Sequence, residues 1–129
     1  MQITSFNPLI VTKDSESVIA LFEALGFERR HMKTGINGHV TSVRMRYTNE
    51  DGKVFHVDVT QAPVPRDITS IRMNVRDFDE AYEFLKARGF KNARGVDHAV
   101  ESASAKSCLM ISPSGFSIQL TQHIRKEDR

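Results

Sequence analysis

The chain repeats itself once. Asp14, Gly26 and Phe27 recur as Asp77, Gly89 and Phe90, all at one shift of 63 residues. Each trio frames the same local pattern: an apolar strand, a capped helix, a glycine stop and a further strand. In the first copy the strand runs from Phe6 to Thr12. Successive strand side chains point to opposite faces, so Phe6, Pro8 and Ile10 share one parity and Leu9 and Val11 the other. Asp14 or Ser15 can then accept hydrogen bonds from the free N–H groups of a helix start. Val18, Ile19, Leu21, Phe22 and Leu25 follow at helical spacing as one apolar stripe. Gly26 stops the helix, because glycine takes the left-handed conformation past a helix end without a Cβ penalty.

Three strands complete the first copy, near Phe27 to Met32, His39 to Tyr47 and Lys53 to Gln61. Thr34 to Gly38 reads as a turn, and Asn49 to Gly52 as a hairpin loop in which Gly52 supplies the positive φ. In the last strand Phe55, Val57 and Val59 alternate with His56, Asp58 and Thr60. Pro63 and Pro65 end it. The second copy restarts with Ile71, Met73 and Val75 alternating with Ser70, Arg72 and Asn74. Asp77 and Glu80 have capping-box spacing. Phe78, Ala81, Tyr82 and Leu85 make the helical stripe, and Gly89 ends it. Strands near Val96 to Glu101, Lys106 to Ser112 and Phe116 to Thr121 follow, with Pro113-Ser114-Gly115 as the last turn. Two copies of about 60 residues are too long and too few for a solenoid. The expected organisation is one βαβββ unit over 1–64 and a second over 65–129, together a single domain.

Charge excludes some functions. The 18 basic and 16 acidic residues are interspersed, the net charge is +2, and the one charge run, Arg125 to Arg129, mixes signs. A nucleic-acid binder concentrates its basic residues, so no nucleic-acid partner is expected. No stretch approaches the about 18 consecutive apolar residues of a membrane span. Met1 to Phe6 lacks the basic and apolar regions of a signal peptide. A cytoplasmic protein with no membrane partner is the expectation. The single cysteine, Cys108, lies in the apolar run Cys108-Leu109-Met110-Ile111 and reads as a buried core thiol.

The run Leu9-Ile10-Val11-Thr12-Lys13-Asp14, with a helix ending Leu25-Gly26-Phe27, resembles the opening of the vicinal oxygen chelate superfamily. The closing hairpin, Ser112-Pro113-Ser114-Gly115-Phe116-Ser117-Ile118-Gln119-Leu120, resembles that superfamily too. The resemblance covers nearly the whole chain, from Ile3 to Gln122. It implies an α+β fold in which two βαβββ repeats form a curled mixed-sheet half-barrel around a ligand cavity. It also implies a homodimer, because sites in chains of this length are often completed across an interface. The superfamily includes glyoxalase I, extradiol dioxygenases, fosfomycin-resistance enzymes and bleomycin-resistance proteins, so the fold hosts catalysts and pure binders alike.

Metal-dependent members draw ligands, chiefly His and Glu, from one inward position on the first and last strand of each unit. Laid on this chain, the four positions are Phe6, Asp58, Ser70 and Gln119. Phe6 has no donor atom, Ser70 is a poor ligand, and Gln119 is at best a weak carbonyl ligand. One carboxylate without an imidazole does not hold a divalent transition metal against water. No metal and no other cofactor is therefore expected. His56, on the same strand face as Asp58, could rescue a site with a third group such as His39. His31, His98 and His123 read as surface histidines.

The expected ligand-binding residues are Phe6, His56, Asp58, Ser70, Arg72, Asn74 and Gln119, and no catalytic residue is assigned. Arg72 either pairs with Asp58 or binds a carboxylate or phosphate through its planar fork. The favoured reading is a metal-free protein of the glyoxalase/bleomycin-resistance type that sequesters a small molecule. The slightly basic chain with Arg72 in its cavity favours a neutral or anionic ligand. The main alternative is a divalent-metal-dependent lyase or dioxygenase of the same superfamily. A metal-free enzyme using His56 and Asp58 as acid and base, and an interaction module without a ligand, are the others.

Overall fold

The computed structural model describes residues 1–34, 40–102 and 104–124, with backbone alone for 31–34, 40 and 41. In chain order the elements are β1 (Ile3–Thr12), α1 (Ser15–Leu25), β2 (Glu28–Thr34), β3 (Val40–Thr48) and β4 (Val54–Gln61). They continue as β5 (Ile68–Val75), α2 (Phe78–Ala87), β6 (Lys91–Asn92), β7 (Val100–Glu101), β8 (Ala105–Ile111) and β9 (Ser117–His123). By its internal contacts the chain forms two units. The N-terminal unit is Asn7–Thr69, and the C-terminal unit joins Met1–Phe6 to the chain from Ser70 onward. The chain start is tied to those later residues: the Arg76 N–H donates to the Gln2 carbonyl at 3.0 Å.

Both units use one plan. In the N-terminal unit β3 lies antiparallel to β2 and β4, and β1 runs parallel to β4. In the C-terminal unit β8 lies antiparallel to β6, β7 and β9, and β5 runs parallel to β9. A parallel pair needs a crossover connection. In each unit a helix begins that crossover and packs on one sheet face.

The caps are those the repeat predicts. Asp14 accepts from the Ser17 N–H at 3.2 Å, and Asp77 from the Glu80 N–H at 3.1 Å. Ser15 is the first helical residue, so Asp14 is the cap. Gly26 and Gly89 both have positive φ, 108° and 93°. A Cβ on Gly26 would sit 3.0 Å from a Tyr47 ring carbon, and one on Gly89 only 2.8 Å from Pro113 Cγ. Both glycines are thus required by conformation and by close approach.

Each unit has its own core. Ile19, Val43, Met45, Val57 and Val59 are buried in the first, with Ile10, Val18, Phe22 and Phe27 against them. Met73, Val75, Cys108, Met110, Ile118 and Leu120 meet Phe78, Ala81, Tyr82 and Leu85 of α2 in the second. Burying each large apolar side chain contributes about 1.5–3 kcal/mol.

Three expectations change. Leu21 and Leu25 are exposed rather than part of the α1 stripe. At about 100° per residue they lie on the far side of the helix from Ile19. The strand expected over Val96 to Glu101 reduces to Val100–Glu101, with Lys91–Asn92 a separate short strand. Between them the chain turns at Gly95, which has φ 75°, while the Asn92 side chain accepts from the Arg94 N–H and donates to the His98 carbonyl. Finally, the parity of β1 is reversed: Ile10 packs into the helix-side core. The turn expected at Thr34 to Gly38 lies largely outside the described residues.

Candidate functional site

In the N-terminal unit the alternation that buries Val43, Met45, Val57 and Val59 sends Ser42, Arg44, Arg46, His56, Asp58 and Thr60 to the opposite face. On β3 and β4 that face is polar from Ser42 to Arg46 and from His56 to Thr60, while Leu9 of β1 lies opposite Asp58. The centre of the face is an ion pair. Arg44 Nε donates to Asp58 Oδ1 at 2.8 Å, and Arg44 Nη2 donates to Asp58 Oδ2 at 3.0 Å. Arg44 Nη2 also donates to Asn7 Oδ1 at 3.1 Å. Asp58 is only 4% exposed, and Asn7 is buried. A two-point guanidinium–carboxylate contact is a strong form of charge-assisted hydrogen bond. It raises the Arg44 pKa, first through the hydrogen bonds to Asp58.

Phe6 is not on this face. It shares the parity of Ile10 and is largely exposed. In the parallel register Leu9 lies opposite Asp58, so the residue of β1 that meets the polar side chains is Asn7. Nor was Arg44 among the expected site residues. The available signal was the run Ser42-Val43-Arg44-Met45-Arg46, which alternates with the same period as His56 and Asp58.

His56 is half-buried and two residues from Asp58 on the same face. Burial holds its pKa below the ordinary imidazole range; Arg44 and Arg46 push it the same way, and Asp58 opposes them. Together these favour the neutral imidazole. His39, the third group considered beside it, lies outside the described residues.

In the C-terminal unit Ser70, Arg72 and Asn74 of β5 share one face with Ser117, Gln119 and Thr121 of β9. The parallel register sets Arg72 opposite Gln119, and Asn74 opposite Thr121. Ser70 and Ser117 are satisfied by each other: the Ser117 hydroxyl donates to Ser70 Oγ at 2.8 Å, and the Ser70 hydroxyl to the Ser117 carbonyl at 2.9 Å. Further along the face, Asn74 Oδ1 and Thr121 Oγ1 are buried without a hydrogen-bond partner among the described residues. Orphaned buried polar atoms cost roughly 1–3 kcal/mol each, an energy that one hydrogen-bonding group reaching both would recover. The structure thus gathers the expected residues on two polar faces: His56 and Asp58 on one, and Ser70, Arg72, Asn74 and Gln119 on the other.

The same unit has a hollow of about 240 Å³ on the α2 side of its sheet, lined by Phe78, Tyr82, Asp79, Asp97 and Lys106 among others. Two of its acids, Asp79 and Asp97, have close partners. Lys106 reaches Asp79 at 3.1 Å, Lys86 reaches Asp97 at 2.8 Å, and the Tyr82 hydroxyl donates to Asp97 at 2.8 Å.

No family model and no curated protein matches the chain. Solved structures do. A glyoxalase/bleomycin resistance protein/dioxygenase superfamily member from Vibrio splendidus 12B01 aligns over 95% of this chain and 100% of its own, with 18% identity and a TM-score of 0.56. A hypothetical protein from Bacillus halodurans C-125 aligns over 98% of both chains, with 12% identity and a TM-score of 0.64. The Mn(II)-bound glyoxalase from Novosphingobium aromaticivorans aligns over 94% of this chain, with 16% identity and a TM-score of 0.55. This chain spans only 39% of that protein. The fold is that of the vicinal oxygen chelate superfamily, as the sequence resemblance implied.

The Novosphingobium aromaticivorans glyoxalase is Mn(II)-bound, and the donors of this chain differ from what such an ion requires. In the N-terminal unit the strand positions offer the Asn7 amide and the Asp58 carboxylate, and Arg44 engages both carboxylate oxygens. In the C-terminal unit they offer the Ser70 hydroxyl, tied to Ser117, and the neutral Gln119 amide. Neither set contains an imidazole or an unengaged carboxylate, and a cation would have to displace Arg44. These donors do not fit a divalent transition metal.

Proposed function

We propose that this protein binds a small neutral or anionic molecule without a metal ion, and that it does so as a homodimer. The observation that carries the reading is the Arg44–Asp58 pair. The one acid at the four strand positions is already neutralised by a guanidinium fork, at 2.8 and 3.0 Å. What remains on the polar faces is hydrogen-bonding and cationic chemistry: Arg46, His56, Arg72, Asn74, Gln119 and Thr121. Such groups orient a ligand through a few polar contacts. Exposed Val54 and Phe55 on β4, and exposed Leu21 and Leu25 on α1, support an apolar interface between copies.

The test is elemental analysis of protein purified without chelator or affinity metal, together with titration of Mn, Fe, Ni and Zn salts. The expected result is less than a tenth of an equivalent of metal after desalting, and no saturable binding in the micromolar range. One equivalent of retained metal would overturn the reading and restore the metal-dependent lyase or dioxygenase.

A further inference from the structure

Resting on that reading of a small-molecule binder, we propose that Arg46 and His56, with Arg44 beside them, form a subsite for an oxyanion group of the ligand, a carboxylate or a phosphate. The β3–β4 register sets Arg46 opposite His56 and Arg44 opposite Asp58. Val43 and Met45 are buried in the helix-side core, so both arginines lie on the polar face. Charge counting then decides which cation is available. Asp58 and Arg44 cancel each other. Arg46 is half-buried and makes no hydrogen bond or ion pair with any described residue. The group opposite it on β2 is Glu28, which is exposed and does not pair with it. On β1 the neighbouring polar side chain, Asn7, is uncharged. Arg46 is therefore the cation on this half-buried surface that no described acid contacts, with Glu28 the solvent-exposed acid across the ladder, and an anion seated there loses less to solvent screening than at an exposed site.

His56 completes the subsite. Burial opposes its protonation, and the two arginines add to that effect against the pull of Asp58. A neutral imidazole offers one N–H donor, and Arg46 offers a planar fork suited to two oxygens of one anion. An anion seated between them would cancel the field of the arginines and let His56 take up a proton. Binding and protonation are then linked, each favouring the other by the same factor.

The full chain is titrated with sodium sulfate and, separately, sodium acetate, at constant ionic strength made up with sodium chloride. Sulfate and acetate keep their charge between pH 6 and 8. The readouts are amide shifts and the His56 imidazole resonance, assigned with a His56→Gln variant. Saturable binding of at least one probe is expected, with the His56 pKa rising on saturation. Arg46→Gln should weaken that binding by about 10- to 100-fold, the range for hydrogen bonds to charged groups. Arg46→Lys, which keeps the charge and loses the fork, should fall between, and Glu28→Gln should tighten binding. Sulfate binding alone identifies a phosphate-like group, and acetate binding alone a carboxylate. The proposal is overturned if neither probe saturates, or if Arg46→Gln responds as the parent does, the signature of general screening. Retained metal would sink the broader reading without touching this result, so the two failures are distinguishable.

Discussion

Replacing Arg44 by Met strands a buried carboxylate, and that consequence can be worked from the structure. Asp58 is 4% exposed and takes two hydrogen bonds from the guanidinium. Removing the cationic partner of a buried pair costs 3–5 kcal/mol in general. The Arg44 side chain is 22% exposed, so some water reaches the pair and about 2–4 kcal/mol is the fitting range here. Asp58→Asn should cost less, about 1–2 kcal/mol, because the arginine can turn toward that water and the amide still accepts one hydrogen bond. The double variant Arg44→Met/Asp58→Leu should recover most of the loss, since it buries no unpaired charge. Urea unfolding followed by circular dichroism at pH 7 measures all three, and the double-mutant cycle isolates the coupling. The Arg44→Met deficit should shrink as the pH falls toward 4, because protonation removes the stranded charge. A deficit below about 0.5 kcal/mol, as for an exposed pair, would refute the reasoning. So would a deficit that does not change with pH.

Two further outcomes follow from the C-terminal unit. Thr121→Val swaps an orphaned buried hydroxyl for a methyl group of nearly the same shape, so it should stabilise the ligand-free protein by about 1 kcal/mol in thermal or urea unfolding; a loss of that size would mean the hydroxyl has a partner the protein needs. Burial pushes the Cys108 thiol up to about 11, so at pH 7.5 the folded protein should react with a disulfide reagent orders of magnitude more slowly than the urea-unfolded chain; prompt labelling of the native state would contradict the buried core placement.

Local chemistry accounts for what was legible in the sequence. The Asp caps and the Gly-Phe stops are set by hydrogen bonds a few residues long and by backbone conformation. Asp14 with Gly26, and Asp77 with Gly89, therefore announce the doubled unit directly. The polar faces of β4, β5 and β9 were legible for a related reason: their alternation is clean. On β1 it is not. Phe6, Pro8 and Ile10 are as apolar as Leu9 and Val11, so period two cannot choose a face. The choice is made by Asn7 meeting Arg44, a contact spanning 37 residues of chain. That contact also explains why residue types at the four strand positions are not enough to read the site. Asp58 alone looks like a weak metal ligand. With Arg44 across the ladder it becomes half of a neutral structural pair, and the cation left over is Arg46. The anion preference proposed for this face is therefore a consequence of the β3–β4 register, which pairs one arginine with an acid and the next with a histidine.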